Sequence, residues 1–215
     1  MRGLIRFVIW VALIVALIVG IARAVAIRWF RLPTDDPTLT TSLMPTLRAG
    51  DLVVAMRLTK PRLGDLVVCP EPGYPQRYVI GRIAAEPGDT ITLTNGEPAL
   101  NGESFKNERG CDPPVFSYVP PNGESEEIQQ RCEWEVITNH LHTIGEIGHH
   151  KVPQVQTSVD VPPDTFFLLS DNRLFPYDSR DFGPVDSATC TETLVARLVS
   201  RAGWMDSENR LDYVQ

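Results

Sequence analysis

Lysine is scarce in this sequence, and the balance of charge excludes one large class of function. Only three of the 215 residues are lysines (Lys60, Lys106 and Lys151), and Lys and Arg together number 20 against 27 acidic residues. The formal net charge is −7 and the isoelectric point is near 5.1. Nucleic-acid-binding surfaces draw their affinity from clustered Lys and Arg. We therefore expect no nucleic-acid partner.

Cysteine is also sparse, and its spacing excludes the common zinc sites. Cys69, Cys111, Cys132 and Cys190 form no CxxC pair and no paired Cys/His spacing, so neither a metal site nor another cofactor is expected. Cys111 and Cys132 flank a stretch rich in Pro, Gly and Glu, which predicts a loop that a disulfide could close if the domain is exported. The alternative is that both cysteines are free, buried thiols.

The N-terminal region contains a long apolar run. Residues 7–22, "FVIWVALIVALIVGIA", carry no charge. As a helix this run measures about 24 Å, somewhat short of the ~30 Å hydrocarbon core, and continuing to Ile27 adds only Arg23, which can snorkel. We predict a membrane anchor over residues 1–31, with the span at about 7–27. A cleaved signal peptide is the alternative, because "AVA" at residues 24–26 has the A-x-A form and arginines precede the run.

The remainder, residues 32–215, has the pattern of a β domain. Short stretches rich in Val, Ile, Leu, Phe and Thr, such as "DLVVAMRL" and "DTFFLLSDN", are bounded by Gly, Asp, Asn and Pro. No long segment of helical period follows residue 35, and the strands follow one another too closely for βαβ units. We predict an all-β domain of antiparallel sheets with a barrel-like core. The more polar region at about 103–158 is predicted to be an insertion.

Four stretches, read in order, resemble the signature boxes of the bacterial signal peptidase I family. They are "SLMPTLRAGD" (42–51), "RLGDLVV" (62–68), "RIAAEPGD" (82–89) and "SDNRLFPYDSRDFGPV" (170–185), with "ALNGE" (99–103) between the last two. The resemblance implies a membrane-anchored serine endopeptidase with an all-β domain and a smaller inserted domain. Its partners would be membrane lipid and the signal peptides of exported preproteins. Its β domain would lie on the trans side of the cytoplasmic membrane, although the Lys/Arg count around the apolar run does not choose a side.

The same resemblance assigns roles to particular residues. Ser42 is similar to the family's nucleophile, and Thr40 to the hydroxyl that would form an oxyanion hole with the Ser42 backbone N–H. Leu43 and Ile80 would line the apolar pocket for the small side chain before the cleaved bond. The remaining matches would support the site, and they are Arg82, Asp178, Ser179 and Arg180.

The resemblance fails at the general base. The family's lysine immediately precedes the arginine of the third box, and here that residue is Gly81. Glycine cannot accept a proton, and Arg82 stays protonated in proteins. Pro176 replaces the serine that orients the lysine, and Ser170 replaces the family's glycine before D-N-R.

The sequence offers other basic side chains, but each has a more ordinary explanation. Lys60 lies in a predicted turn, and Lys106 and Lys151 lie in the insertion. Satisfied or solvent-facing side chains are the expectation for the four histidines, which are His140, His142, His149 and His150. Two hypotheses remain: an endopeptidase with an unusual or displaced base, and a non-catalytic member that binds signal peptides or an envelope protein.

Overall fold

The computed structural model of the chain describes residues 2–121, 123, 126–146 and 156–214. It begins with helix α1 (Arg2–Val25). Within α1, Gly3–Arg23 has a mean hydropathy of 2.8, and none of it is buried against the rest of the protein. By length and composition, this is the one helix of the described residues that could cross a bilayer. The helix ends before the expected limit at residue 27, because Ile27 already pairs in a strand.

Most of the remaining regular structure is β. The strands are β1 (Ile27–Arg31), β2 (Leu52–Met56), β3 (Leu66–Glu71), β4 (Tyr74–Ala85), β5 (Thr90–Thr94), β6 (Glu97–Leu100), β7 (Glu103–Ser104), β8 (Lys106–Tyr118), β9 (Ile128–Ile137), β10 (His140–Gly145), β11 (Gln156–Asp160), β12 (Thr165–Leu169), β13 (Val185–Asp186), β14 (Glu192–Val199) and β15 (Asp212–Tyr213). Two short helices, α2 (Pro37–Ser42) and α3 (Ser179–Phe182), and a 3₁₀ turn at Ser187–Thr189 interrupt them.

The largest sheet contains eight antiparallel strands and carries the candidate site. Its order is β1-β2-β14-β3-β4-β12-β13, and β15 pairs with β14. This confirms the predicted antiparallel all-β class, but over the described residues the sheet runs from β1 to β13 as an open path and not as a closed barrel. All five residues of β1 pair with β2, so the sheet includes residues 27–31 of the predicted anchor segment.

The inserted region is more regular and shorter than the sequence suggested. Strands β8, β9 and β10 form a separate three-stranded sheet, and a disulfide joins Cys111 on β8 to Cys132 on β9. The outer parts of the predicted insertion belong elsewhere, because β7 and β11 complete a four-stranded sheet with β5 and β6. The inserted sheet therefore spans residues 106–145.

Strand β4 lies at the centre of the fold, which explains its sequence. Its last seven residues, 79–85, are all buried, as expected for a strand that is covered on both faces. Ile80 packs in one cluster with Leu39 and Leu43, and Val79 packs in another with Leu168. A second disulfide, between Cys69 and Cys190, links β3 to the segment before β14. The sequence pattern gave no indication of this pairing.

Candidate active site

Ser42 is the last residue of α2. Asp36 caps the first turn by accepting a hydrogen bond from the Leu39 N–H at 3.0 Å, and Pro37 occupies the first turn, where its missing N–H costs nothing. The helix buries Leu39 against the apolar cluster that includes Ile80. Ser42 is fully buried, and its Oγ donates to the carbonyl of Leu39 at 2.8 Å.

Thr40 lies on the same short helix and is also buried. Its hydroxyl donates to the carbonyl of Asp36 at 2.9 Å. The hydroxyls of the predicted nucleophile and the predicted oxyanion donor therefore both donate to carbonyls of the chain around α2. Ser42 and Thr40 are both buried, so neither hydroxyl is open to solvent in this structure.

Leu43 and Ile80, which the sequence assigns to the substrate pocket, are brought together in one cluster. Both side chains are fully buried, and they share the cluster with Leu39, Leu47 and Leu66. The pocket position is thus filled by the protein's own core. A substrate side chain could enter only if α2 moved away from β4.

Gly81 lies in the middle of β4, opposite Val67 on β3. A Cβ atom at this position would stand 3.0 Å from the Cβ of Leu168 and 3.5 Å from the carbonyl oxygen of Leu169. Contacts near 3.0 Å are rare for real Cβ atoms, so a side chain here requires a neighbour to shift. Any side chain at position 81 would therefore require Leu168 to shift by a few tenths of an ångström.

Among the described residues, no lysine or histidine hydrogen-bonds to the Ser42 hydroxyl, which donates to the Leu39 carbonyl. Lys60 lies between β2 and β3, on a surface cavity beside Arg57, and Lys106 pairs opposite Val136 in the inserted sheet. Lys151, His149 and His150 lie outside the described residues.

His142 is fully buried, whereas His140 on the same strand is exposed. His142 Nε2 lies 3.2 Å from Glu135 Oε2, but neither ring nitrogen has a hydrogen-bond partner of regular geometry. Burial, followed by the charge of Arg82, lowers the pKa of His142 below its ordinary value, although Glu135 and Asp171 act in the opposite direction. The imidazole is therefore a neutral group in a charged cluster.

Arg82 forms the central ion pair of that cluster. Its Nε and one terminal nitrogen each lie 2.9 Å from an oxygen of Asp171, and its other terminal nitrogen donates to the carbonyl of Gly64 at 2.7 Å. The Thr46 hydroxyl donates to the same carboxylate at 2.6 Å. Burial opposes ionisation of Asp171, but the charge and hydrogen bonds of Arg82 outweigh it and lower the pKa of the carboxyl. Arg82 thus anchors the segment that follows β12.

Asp178, Ser179 and Arg180 hold the other end of that segment. The buried Asp178 carboxylate accepts hydrogen bonds from the Ser170 N–H at 2.7 Å and from Arg180 Nε at 2.9 Å. Burial raises the pKa of Asp178, but the charge and hydrogen bonds of Arg180 outweigh this effect and lower it. The Ser179 hydroxyl accepts the Leu168 N–H at 2.9 Å. These residues brace β12 and do not contact Ser42.

Asn172 is the residue beside Ser42 to which the sequence analysis assigned no role. Its backbone N–H donates to the Ser42 carbonyl at 2.9 Å, and its side-chain Nδ2 donates to the Thr41 carbonyl at 3.1 Å. It lies in the D-N-R of the fourth box, so the motif indicated the segment but not the contact. The next residue, Arg173, forms a buried ion pair with Glu135 of the inserted sheet.

Comparisons with known proteins agree on one family. A family model described as signal peptidase, peptidase S26, matches residues 4–199. The chain is 24% identical over 175 residues to signal peptidase I of Leptolyngbya laminosa, which covers 75% of this chain and 68% of the relative. It is 29% identical over 146 residues to signal peptidase I of Bacillus caldolyticus, covering 66% of each. It therefore spans about two thirds of the length of these relatives. A crystal structure of a signal peptidase I from Enterococcus faecalis aligns with a TM-score of 0.38 at 21% identity, over 63% of this chain and 97% of that one.

Proposed function

The chain belongs to the signal peptidase family, peptidase S26, and from this premise we propose that it is a membrane-anchored serine endopeptidase that cleaves signal peptides from exported preproteins. The observation that carries the proposal is the family match across residues 4–199, which includes all four sequence boxes. The substrate class and the role of Ser42 rest on that match.

In the proposed reaction, Ser42 Oγ attacks the carbonyl of the bond that follows a small side chain. The Ser42 backbone N–H and the Thr40 hydroxyl donate to the developing oxyanion, which is the interaction that contributes most in reactions of this type. The C–N bond then breaks, the amine of the mature protein leaves with a proton taken from water, and a second water molecule hydrolyses the acyl-serine ester. Leu43 and Ile80 line the pocket for the small side chain once α2 has moved, and no cofactor takes part.

Gly81 has no side chain that could accept the proton of the Ser42 hydroxyl. Without a positioned base the proton passes to water, and a positioned general base typically contributes a factor of ~10²–10⁴. Gly81 and Pro176 together remove the base and the group that would orient it. We therefore expect cleavage to be much slower than in a relative that carries the lysine.

A second candidate function is binding without cleavage. The close packing at Gly81 favours it, because a Cβ there would stand 3.0 Å from that of Leu168 and the position carries no base. In this alternative the chain captures signal peptides, or an envelope protein, on the trans side of the cytoplasmic membrane.

The proposed location follows from α1 and from the cysteines. An uncleaved α1 anchors the chain in the cytoplasmic membrane. The Cys69–Cys190 and Cys111–Cys132 disulfides are of the kind that persists in oxidising compartments, which supports a β domain on the trans side. Intact-mass analysis of membrane-extracted protein tests the anchor, and a mature N-terminus at Ile27 would refute it. Protease treatment of spheroplasts tests the side, and a domain resistant until lysis would refute it.

The decisive experiment compares wild type with Ser42→Ala in detergent or lipid, using a preprotein with an A-x-A site. Slow cleavage that disappears in Ser42→Ala supports the proposal. Equal binding of the signal peptide by both proteins, with cleavage by neither, supports the binding function instead. Rapid cleavage by wild type would show that another base acts, and Lys60 and the histidines are the first positions to substitute.

A further inference from the structure

Asn172 holds the main chain on both sides of Ser42. Its side-chain amide donates to the carbonyl of Thr41 at 3.1 Å, and its own backbone N–H donates to the carbonyl of Ser42 at 2.9 Å. Asn172 is fully buried, as is Ser42. Asn172 therefore contacts the peptide groups before and after the serine, and the Met44 N–H also donates to the Thr41 carbonyl at 3.2 Å.

The first of these contacts bears on the oxyanion donor. A peptide group is planar and trans, so the Thr41 carbonyl and the Ser42 N–H are opposite ends of one rigid unit. A donor that holds the carbonyl oxygen fixes the direction in which the N–H points. It also polarises the peptide group, which strengthens the N–H as a donor. The proposed oxyanion hole depends on the direction of this N–H.

Asn172 is itself held in one orientation. Its Oδ1 accepts the N–H groups of Leu174 at 3.1 Å and Phe175 at 3.0 Å. Because both of these partners are donors, the carbonyl end of the amide must face them, and the NH₂ end must face Thr41. The flanking residues are fixed as well, Asp171 by Arg82 and Arg173 by Glu135.

We propose that Asn172 is a positioning residue for the endopeptidase reaction, which sets the Ser42 N–H toward the oxyanion by holding the Thr41 carbonyl. In this arrangement Arg82 acts indirectly, because its ion pair with Asp171 fixes the residue that precedes Asn172. The inference rests on the proposed function. It is independent of how the Ser42 hydroxyl loses its proton.

The test separates binding of a tetrahedral adduct from binding of a peptide. The probe is a short peptide boronic acid ending in alanine. Ser42 Oγ forms a bond to boron, the hydroxyl proton passes to the buffer, and the boron becomes a tetrahedral anion that mimics the reaction intermediate. The matching peptide amide forms no bond and reports binding alone. Both are titrated against the full chain in detergent micelles, and Ser42→Ala verifies that the adduct is with the serine.

Asn172→Asp keeps Oδ1 and the bonds to Leu174 and Phe175 but loses the donor to Thr41. We expect it to lower the boronate-to-amide affinity ratio by about 10–100-fold, less than the ~10²–10³-fold loss typical of removing an oxyanion donor, while the amide affinity changes little. Asn172→Ser is a second variant, in case the aspartate variant does not fold. Its hydroxyl can still accept a turn N–H but cannot reach Thr41, so the same fall in the affinity ratio is expected. Asn101→Asp is the matched control, because Asn101 Nδ2 donates to Asp89 at 2.8 Å in an exposed loop.

The outcomes are distinguishable. A ratio that falls in both Asn172 variants and not in Asn101→Asp supports the positioning role. An unchanged boronate-to-amide affinity ratio, or equal losses of affinity for both probes, would mean that Asn172 has a purely structural role. That result would overturn the inference but not the proposed function. A wild-type chain that binds the boronate no more tightly than the amide overturns the proposed endopeptidase function and the inference with it.

Discussion

A Cβ atom on Gly81 would stand 3.0 Å from the Cβ of Leu168, so β4 and β12 pack closely at this glycine. This is the position to which the sequence resemblance assigns the family's lysine, and the observed packing fits glycine. Gly81 has no left-handed backbone angle, so the obstacle to a side chain is contact and not strain.

Gly81→Ala should therefore destabilise the domain. We expect the free energy of unfolding to fall by about 1 kcal/mol, at the low end of the range for overpacking a core, because Leu168 must shift by a few tenths of an ångström. Thermal or denaturant unfolding in detergent measures the change. Gly20→Ala in α1 is the control, since a Cβ there meets nothing within 4 Å. An unchanged or raised stability for Gly81→Ala would contradict the packing argument.

Gly81→Lys combined with Pro176→Ser should accelerate preprotein cleavage relative to wild type. The expected gain is smaller than the ~10²–10⁴-fold typical of a general base, because the new side chain must first displace Leu168. A lysine among buried apolar groups has its pKa lowered, which makes it able to accept a proton. Cleavage rates in lipid measure the gain.

The control for that experiment is Gly81→Met with Pro176→Ser, which adds a side chain of similar length without the amine. An equal gain in cleavage rate in both double variants would show that the gain comes from altered packing and not from a base. Circular dichroism of each variant verifies the fold, so that an unfolded protein is not scored as an inactive one.

Removal of the Cys69–Cys190 disulfide should cost more stability than removal of Cys111–Cys132. The first bridge joins residues 121 apart in sequence and the second joins residues 21 apart. On a loop-entropy model, the expected losses are about 4–5 and about 3 kcal/mol. Paired Cys→Ala substitutions and urea unfolding compare them, and since both pairs are buried the packing losses are alike. A larger loss for the shorter loop would refute the prediction.

Stability should fall as the pH drops below about 6.5 because of His142. Its pKa is lowered in the folded protein, so below the ordinary value of 6.5 the unfolded chain binds a proton that the folded chain does not. The stability is fully present above that pH and is lost at up to about 1.4 kcal/mol per pH unit below it. The carboxyls of Glu135 and Asp171, whose pKa values are also lowered, contribute at more acidic pH.

His142→Gln should flatten the dependence of unfolding free energy on pH between 6.5 and 5, and His140→Gln, at an exposed position of the same strand, should leave it unchanged. Denaturant unfolding across that range measures the slope. If His142→Gln retained the wild-type slope, another group would be responsible.

Strand periodicity and local motifs predicted the class of the fold, because short apolar runs between turn residues are a local signal. Pairing between residues far apart in the sequence gives no local signal, and it accounts for the differences between the predicted fold and the observed one. Ile27 belongs to β1 only because β2 lies beside it, and Cys69 meets Cys190 only because β3 pairs with β14. The polar stretch near residue 106 forms long strands because they pair with each other over one buried face.

The candidate site was likewise predictable only where the signal is local. The boxes located Ser42 and Thr40, and the structure places both on α2, yet their buried hydroxyls could not be foreseen from a motif. Asn172 was hidden for a different reason. Its role depends on a contact with Thr41 across more than a hundred residues, and nothing in the D-N-R sequence identifies that partner.

The junction between α1 and β1 is a single residue, Ala26, and both of its main-chain polar groups are engaged. Its N–H donates to the Ala22 carbonyl at 2.8 Å, and its carbonyl accepts the Arg57 N–H at 2.9 Å. Ser42 lies on α2, in the connection between β1 and β2, and only residues 32–36 separate that helix from β1. For an anchored chain this fixes the height of the serine above the bilayer. With the proposed anchor and endopeptidase activity, the chain would then cleave bonds at one distance from the membrane surface.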